Sequence, residues 1–205
     1  MLTRKPYADT IINSKPTIPH TKNPRVPPAA ALVGFAAGGF STFENMIRTF
    51  QYKLYPNSSQ QRCLERWLGI CCWTYNRMLE MRQKSYRRRG ESMTLYSQSA
   101  VLTKFRERME FVRSTPLTFE RDALRRVDKG MKAFFRRLKQ KQAPGFPRFR
   151  SRHRYNSLEC LATGNYLRGD RIHVPCLGSI RCRGRLLPEG VQKGLRIVRR
   201  ASGLY

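Results

Sequence analysis

Aromatic and basic side chains alternate in the short segment 146–150, which reads Phe-Pro-Arg-Phe-Arg, with Phe146 and Phe149 supplying the rings. Arginine donates paired hydrogen bonds to phosphate, and the face of an aromatic ring can stack on a base. From there arginines recur at every second position, as Arg148, Arg150, Arg152 and Arg154. In an extended chain all four would point to one side at intervals of about 6.6 Å. The segment therefore predicts contact with a nucleic-acid backbone.

The acidic residues that follow are too scattered for phosphodiester cleavage. Two-metal cleavage requires clustered carboxylates that hold two metal ions about 4 Å apart. Glu159, Asp170 and Glu189 are each predicted to stand alone in a turn or a basic strand. The histidines lack a nucleophile or an acidic partner at a recognisable spacing; they are His20, His153 and His173. We predict no catalytic residue and no cofactor.

The six cysteines include no Cys-x-x-Cys pair, so the usual spacing of a zinc ribbon is absent. Cys176 and Cys182 lie on predicted strands with His173 nearby, which leaves a metal site as an alternative. Half-buried free thiols are the favoured interpretation. We predict no bound metal.

The charge of the chain calls for a polyanionic partner. There are 41 Lys and Arg residues against 13 Asp and Glu, a formal net charge of +28. Hydrophobic residues make up 40% of the chain, which excludes a purely disordered polycation. DNA or RNA is the predicted partner, with no membrane and no small-molecule substrate.

The helix predicted before the aromatic segment carries two opposed stripes. Thr115 is the predicted N-cap, and Pro116 occupies the first turn, where its missing N–H is harmless. At about 100° per residue the stripes lie on roughly opposite faces. The apolar stripe is Leu124, Val127, Met131, Phe134 and Leu138, and the basic stripe is Arg121, Arg125, Lys129, Lys132 and Arg136. Most charged stripes are solvated faces, but this one is almost unmixed in sign and leads into the arginine segment. We interpret it, with Arg137 and Lys53, as nucleic-acid-binding.

The other predicted elements give an α+β fold. Residues 46–55 alternate as a strand that Pro56 ends, and Asn57 or Ser58 caps a helix that reaches about Arg88. If Gly69 breaks this helix, its halves form a helix-turn-helix-like pair. Thr94 caps the next helix. Short alternating runs after residue 144 predict a small β unit.

Residues 1–45 hold six of the twelve prolines and no steady period. We expect a disordered extension there, upstream of a natural start at Met46.

Several segments together carry a family resemblance. In chain order they are 46–56, Tyr75-Asn76, 123–129, 134–137, 144–149 and 187–190. In this order and spacing the sequence resembles the N-terminal part of OrfB/TnpB proteins, which are transposon-encoded RNA-guided nucleases annotated in many genomes as transposases.

The resemblance implies a barrel-like wedge domain, formed by 46–56 and 144–205 and split by a helical recognition lobe at 57–143 that contains the helix-turn-helix region. In that family the two parts grip a guide RNA and read double-stranded DNA beside the target. Tyr96 and Gln98 match a Tyr-x-Gln near the place where that DNA is read. The family's RuvC-like nuclease lies further along, so the resemblance implies a truncated, non-catalytic chain, cytoplasmic and nucleoid-associated.

Two alternatives remain open from the sequence. The chain could be a stand-alone helix-turn-helix regulator that reads DNA with 57–88. It could also be one fragment of an interrupted RNA-guided DNA endonuclease.

Overall fold

A computed structural model of the protein describes residues 8–15, 47–184 and 191–200. These residues form a mixed α and β structure, as the sequence predicts. The strands are β1 (Ala8–Lys15), β2 (Arg48–Tyr55), β3 (Ser157–Cys160), β4 (Leu167–Arg168), β5 (Arg171–Val174), β6 (Gly178–Gly184) and β7 (Val191–Val198). The helices are α1 (Ser58–Arg89), α2 (Leu95–Arg108), α3 (Glu110–Arg113) and α4 (Leu117–Lys139). No helix in this part of the chain is long and apolar enough to cross a membrane.

The strands form one antiparallel sheet in the order β3-β7-β1-β2-β6-β5-β4. The predicted pairing of the 46–55 strand with the late strands is present, since Leu54 on β2 lies opposite Cys182 on β6. β3 and β4 lie at opposite ends, and no ladder joins them in the described ranges. The sheet is therefore open, and the expectation of a barrel is wrong for this structure. β4 is only two residues long, which is too short to close one.

β1 lies near the centre of this sheet, paired with β7 on one side and β2 on the other. The expectation of a disordered extension is therefore wrong for Ala8–Lys15. The physical reason is that β2 and β7 each offer a backbone edge that a strand can fill. The rest of 1–45 lies outside the described residues.

α1 begins with the predicted capping box. The side chain of Asn57 accepts from the Gln60 N–H at 2.8 Å, and the Gln60 side chain accepts from the Asn57 N–H at 3.1 Å. The break at Gly69 that the sequence left open does not occur, because the helix runs unbroken to Arg89 and ends at Gly90, whose φ is +68°. Buried side chains on both sides of Gly69 outweigh its cost of about 1 kcal/mol.

The helix α4 begins one residue later than the sequence predicts. Pro116 is its N-cap, and the buried Thr115 hydroxyl has no hydrogen-bond partner among the described residues, so the predicted Thr115 cap is wrong. The apolar stripe is buried only in its first half. Leu124 and Val127 are buried, whereas Leu138 is 53% exposed because the helix extends beyond the core.

One hydrophobic core joins the helices to the sheet. Trp67 of α1 packs on Phe119 of α4 with ring centroids 5.6 Å apart, and its Nε1 donates to the Ser114 carbonyl at 3.2 Å. Nearer the sheet, Tyr75 of α1 lies 6.2 Å from Tyr155, next to the buried Leu158 of β3. The core therefore fixes α1 and α4 against the start of β3.

Candidate nucleic-acid interface

The basic stripe of α4 lies on the surface. Arg121, Lys129, Lys132 and Arg136 are exposed, and Arg125 is half-buried. Lys132 forms an ion pair with Asp128, with Nζ and Oδ2 2.9 Å apart. The stripe therefore forms a continuous cationic row, and its positive charge is partly offset at Lys132 by the carboxylate of Asp128. Arg137, in the last turn, is exposed as well.

The arginine segment does not run extended along its whole length. Arg148 and Arg150 lie in irregular chain, but Arg152 and Arg154 lie in a turn, where the Arg154 N–H donates to the Ser151 carbonyl at 3.0 Å. The predicted period-two row of four arginines is therefore wrong. All four are exposed, but the turn redirects the last two.

Side chains of α1 hold the segment in this path. The Asn76 side chain accepts from the Arg150 N–H and donates to the Arg150 carbonyl, both at 2.8 Å. The Tyr75 hydroxyl donates to the Arg148 carbonyl at 3.2 Å, and the Arg150 guanidinium lies 5.2 Å from the Tyr75 ring centroid. The backbone is thus fixed while the arginine side chains remain available.

The segment also packs along one side of α4. The Arg126 guanidinium lies 5.1 Å from the Tyr155 ring centroid, and Phe134 lies 5.3 Å from Phe146. Measured from the mean direction of the basic stripe, Arg126 lies about 100° and Phe134 about 180° around the helix. The structure therefore places the two predicted cationic elements on separate surfaces of α4.

The two predicted rings of the segment differ in exposure. Phe146 is 38% exposed and packs on Phe134, whereas Phe149 is 54% exposed. Phe149 is the ring with more surface for a base to cover.

The Tyr-x-Gln pair on α2 separates into an exposed and a buried residue. Tyr96 is 87% exposed, whereas Gln98 is fully buried. The Gln98 side chain accepts from Arg82 Nε and donates to the Met78 carbonyl, both at 2.7 Å. Gln98 therefore attaches α2 to α1, and in this structure it has no exposed surface for nucleic acid to contact. Lys53 is exposed on β2.

The buried carboxylates lie on α4. Burial raises the pKa of Glu120 to about 7, with the Arg106 guanidinium opposing the rise. Burial also raises the pKa of Asp122 to about 6, against the neighbouring Arg126, whose Nε lies 2.7 Å from Asp122 Oδ2. Both carboxylates form ion pairs inside the core, and we interpret these ion pairs as part of the packing of the protein.

The residues considered for metal binding or catalysis do not assemble. Within the described ranges no three His, Cys, Asp or Glu side chains form a group that could hold a metal ion. Cys182 is buried while His173 is exposed, and the described cysteines are free thiols. Glu159 pairs with Arg196 at 2.8 Å, and Asp170 lies 3.8 Å from Arg181. Glu189 and His20 fall outside the described residues.

A groove that the sequence did not predict lies between α1, α3 and residues 150–152. Its lining includes two arginines and two aromatic residues that the sequence analysis did not single out, namely Arg62, Arg66, Trp73 and Phe111. The i, i+4 spacing of the two arginines, just before Gly69, was the available signal.

Residues 46–91 match the helix-turn-helix domain of the OrfB IS605 family, which confirms the resemblance over this stretch. No curated protein matches the chain. A helix-turn-helix domain indicates DNA binding and is not itself catalytic. In this structure the matched stretch contains β2 and the single unbroken helix α1, so a reader made of two helices within 57–88 is absent.

Proposed function

We propose that this chain, which carries an OrfB/TnpB-family helix-turn-helix region at 46–91, serves as the nucleic-acid-binding part of an RNA-guided system. It would hold a guide RNA and the duplex DNA beside the target. The family match supports DNA binding, and the guide RNA is our extension from the wider resemblance. In this proposal the chain acts beside DNA, in the cytoplasm and on the nucleoid.

The observation that carries the proposal is the exposed basic row of α4. From Arg121 to Arg136 the row extends about 22 Å at 1.5 Å per residue. Duplex DNA carries one negative charge for roughly each 1.7 Å of its axis, so a row of this length faces several phosphates. A rigid helix with cations on one side is suited to that contact.

The proposed role is binding without cleavage. A basic surface that holds substrate and transition state equally well does not accelerate the chemical step. Phosphodiester cleavage needs metal ions placed by carboxylates, and the α4 carboxylates are engaged with Arg106 and Arg126 inside the core.

The test replaces Arg121, Lys129 and Arg136 together by Gln and measures affinity for duplex DNA and for a hairpin RNA over a range of salt. We expect weaker binding and a salt slope for DNA reduced by about 2–3, because each lost phosphate contact removes roughly 0.9 from the slope. The matched control removes an equal number of positive charges from the sheet. It replaces by Gln three exposed arginines, namely Arg168, Arg171 and Arg183. Equal losses from both sets would contradict the proposal, because total charge alone would then explain binding.

A further inference from the structure

The groove between α1, α3 and residues 150–152 has the dimensions of a ligand site. It is open to solvent and encloses about 690 Å³. Sites for small organic groups fall at roughly 300–1,000 Å³. α1 contributes Arg62, Arg66 and Trp73, α3 contributes Phe111, and the coil contributes Arg150 and Arg152.

The walls of the groove are held by specific contacts. The two hydrogen bonds from Asn76 fix the backbone of Arg150, and Cys72 Sγ lies 3.3 Å from the same carbonyl. At Gly69 a side chain would begin 3.4 Å from Arg152 Nε, so the bare backbone lets that guanidinium lie against α1. The backbone that carries Arg150 into the groove is therefore set by the fold.

The charge in the groove is unbalanced. Arg62, Arg66, Arg150 and Arg152 face only one lining carboxylate, Glu65. None of the four arginines forms an ion pair with another described residue within 4.0 Å. Four guanidinium groups that line one groove from two segments create a positive potential that attracts an anion. A phosphate group suits this groove, since guanidinium binds it through paired hydrogen bonds.

An aromatic surface adjoins these arginines. Phe111 is 47% exposed and meets Trp73 edge-on, with ring centroids 5.1 Å apart at 79°. Nearly half of the Phe111 side chain therefore remains open to a flat group. In a duplex the base faces are stacked inside, whereas an unpaired base can stack on such a ring.

We propose that this groove binds an unpaired nucleotide of a single-stranded nucleic acid, with its phosphate among the four arginines and its base on Phe111. The inference rests on the proposed function and specifies a second surface for it, separate from the basic row of α4. The groove holds the single strand, while the row holds the duplex.

The test compares two probes on the full chain: a fluorescein-labelled oligo-uridylate of about 12 nucleotides, and a short blunt DNA duplex. Phe111→Ala should weaken binding of the single strand about tenfold, because one base loses its stacking partner. The pair Arg62→Gln with Arg66→Gln should weaken it by a similar factor. Both should change duplex affinity less than twofold. The matched control, Arg87→Gln with Arg88→Gln, removes the same charge from the far end of α1 and should leave single-strand affinity within twofold.

A third variant tests the groove without removing any packed side chain. Gly69→Glu places a carboxylate beside Arg152, and it should also lower the affinity for the single strand. Circular dichroism and Tm verify the fold of each variant. If the unmodified chain binds neither probe, the proposed function fails and this inference fails with it. If it binds both, and the groove variants bind the single strand as well as the unmodified chain does, only this inference is overturned. Equal losses on both probes overturn it too, since the groove would then belong to the duplex surface.

Discussion

Glu120 is fully buried on α4, where its carboxylate contacts the guanidinium of Arg106. One of its oxygens, Oε1, has no hydrogen-bond partner in the described part of the chain. A buried carboxylate with an unsatisfied oxygen pays a desolvation cost that the ion pair offsets only in part. At this scale a buried ionisable side chain makes the stability of the protein depend on pH.

The stability of the protein should fall as pH rises through the range where Glu120 ionises. The folded-state pKa of Glu120 is raised to about 7 from 4.5, so the folded protein binds more protons than the unfolded chain between these values. Stability gained by proton binding at low pH is therefore lost as pH rises from about 4.5 to 7. Over this pH range the free energy of unfolding of Glu120→Gln should therefore fall by about 1–3 kcal/mol less than that of the unmodified chain.

Urea denaturation at several pH values in this range measures the effect. Glu107 on the exposed side of α2 supplies the matched Glu→Gln control, which should follow the unmodified chain. If Glu120→Gln keeps the same pH dependence as that control, the raised pKa is refuted.

At the scale of elements, α1 and α4 each contain one interior glycine, and the two glycines differ in their surroundings. A Cβ on Gly69 would meet Arg152 Nε at 3.4 Å, which is ordinary contact with a mobile side chain. On Gly130 it would meet Pro147 Cγ at 3.2 Å, which is tight against a rigid ring. The second glycine allows the coil at 147 to approach α4 closely.

We predict that Gly69→Ala stabilises the protein by roughly 0.5–1 kcal/mol, because Ala orders a helix at a lower entropic cost than Gly. Gly130→Ala has the same advantage in helix propensity, but its Cβ must displace Pro147. The stability of this variant should therefore rise less than that of Gly69→Ala, or should fall. Thermal unfolding of both variants compares them directly. A larger gain at Gly130 would contradict the packing described here.

The whole molecule depends on a strand that comes early in the sequence. β1 pairs with both β2 and β7, so it joins the two halves of the sheet. Without it β2 and β7 would present open edges to solvent, and open edges favour association between chains.

We predict that Thr10→Pro strongly lowers the urea midpoint, because proline cannot donate to the ladder near the centre of a sheet. Thr10 lies opposite Tyr52 on one side and Ile197 on the other. Thr10→Ala keeps the N–H and should cost much less. If the two variants unfold at the same denaturant concentration, β1 does not hold the sheet together.

Local signals explain what the sequence could predict. The capping box at Asn57, the cap at Thr94 and the basic row from Arg121 to Arg136 all depend on residues within one or a few turns, and the structure contains each of them. Errors arose where distant contacts decide the outcome. Gly69 stays helical because of its buried neighbours. A distant residue, Asn76, holds the backbone of Arg150, and the chain turns directly after it. The groove was missed because its lining comes from three separate segments.

The central position of β1 also bears on how the protein is made. During synthesis the ribosome releases β1 and then β2, which can pair early, but β1 must wait for β7 before its second edge is filled. A pairing between segments so far apart in sequence forms slowly, since the chain must close a long loop first. Throughout that interval the edge of β1 that later pairs with β7 stays uncovered. The sheet can be completed only after β7 has left the ribosome, so a chaperone that covers this edge would raise the yield of folded protein.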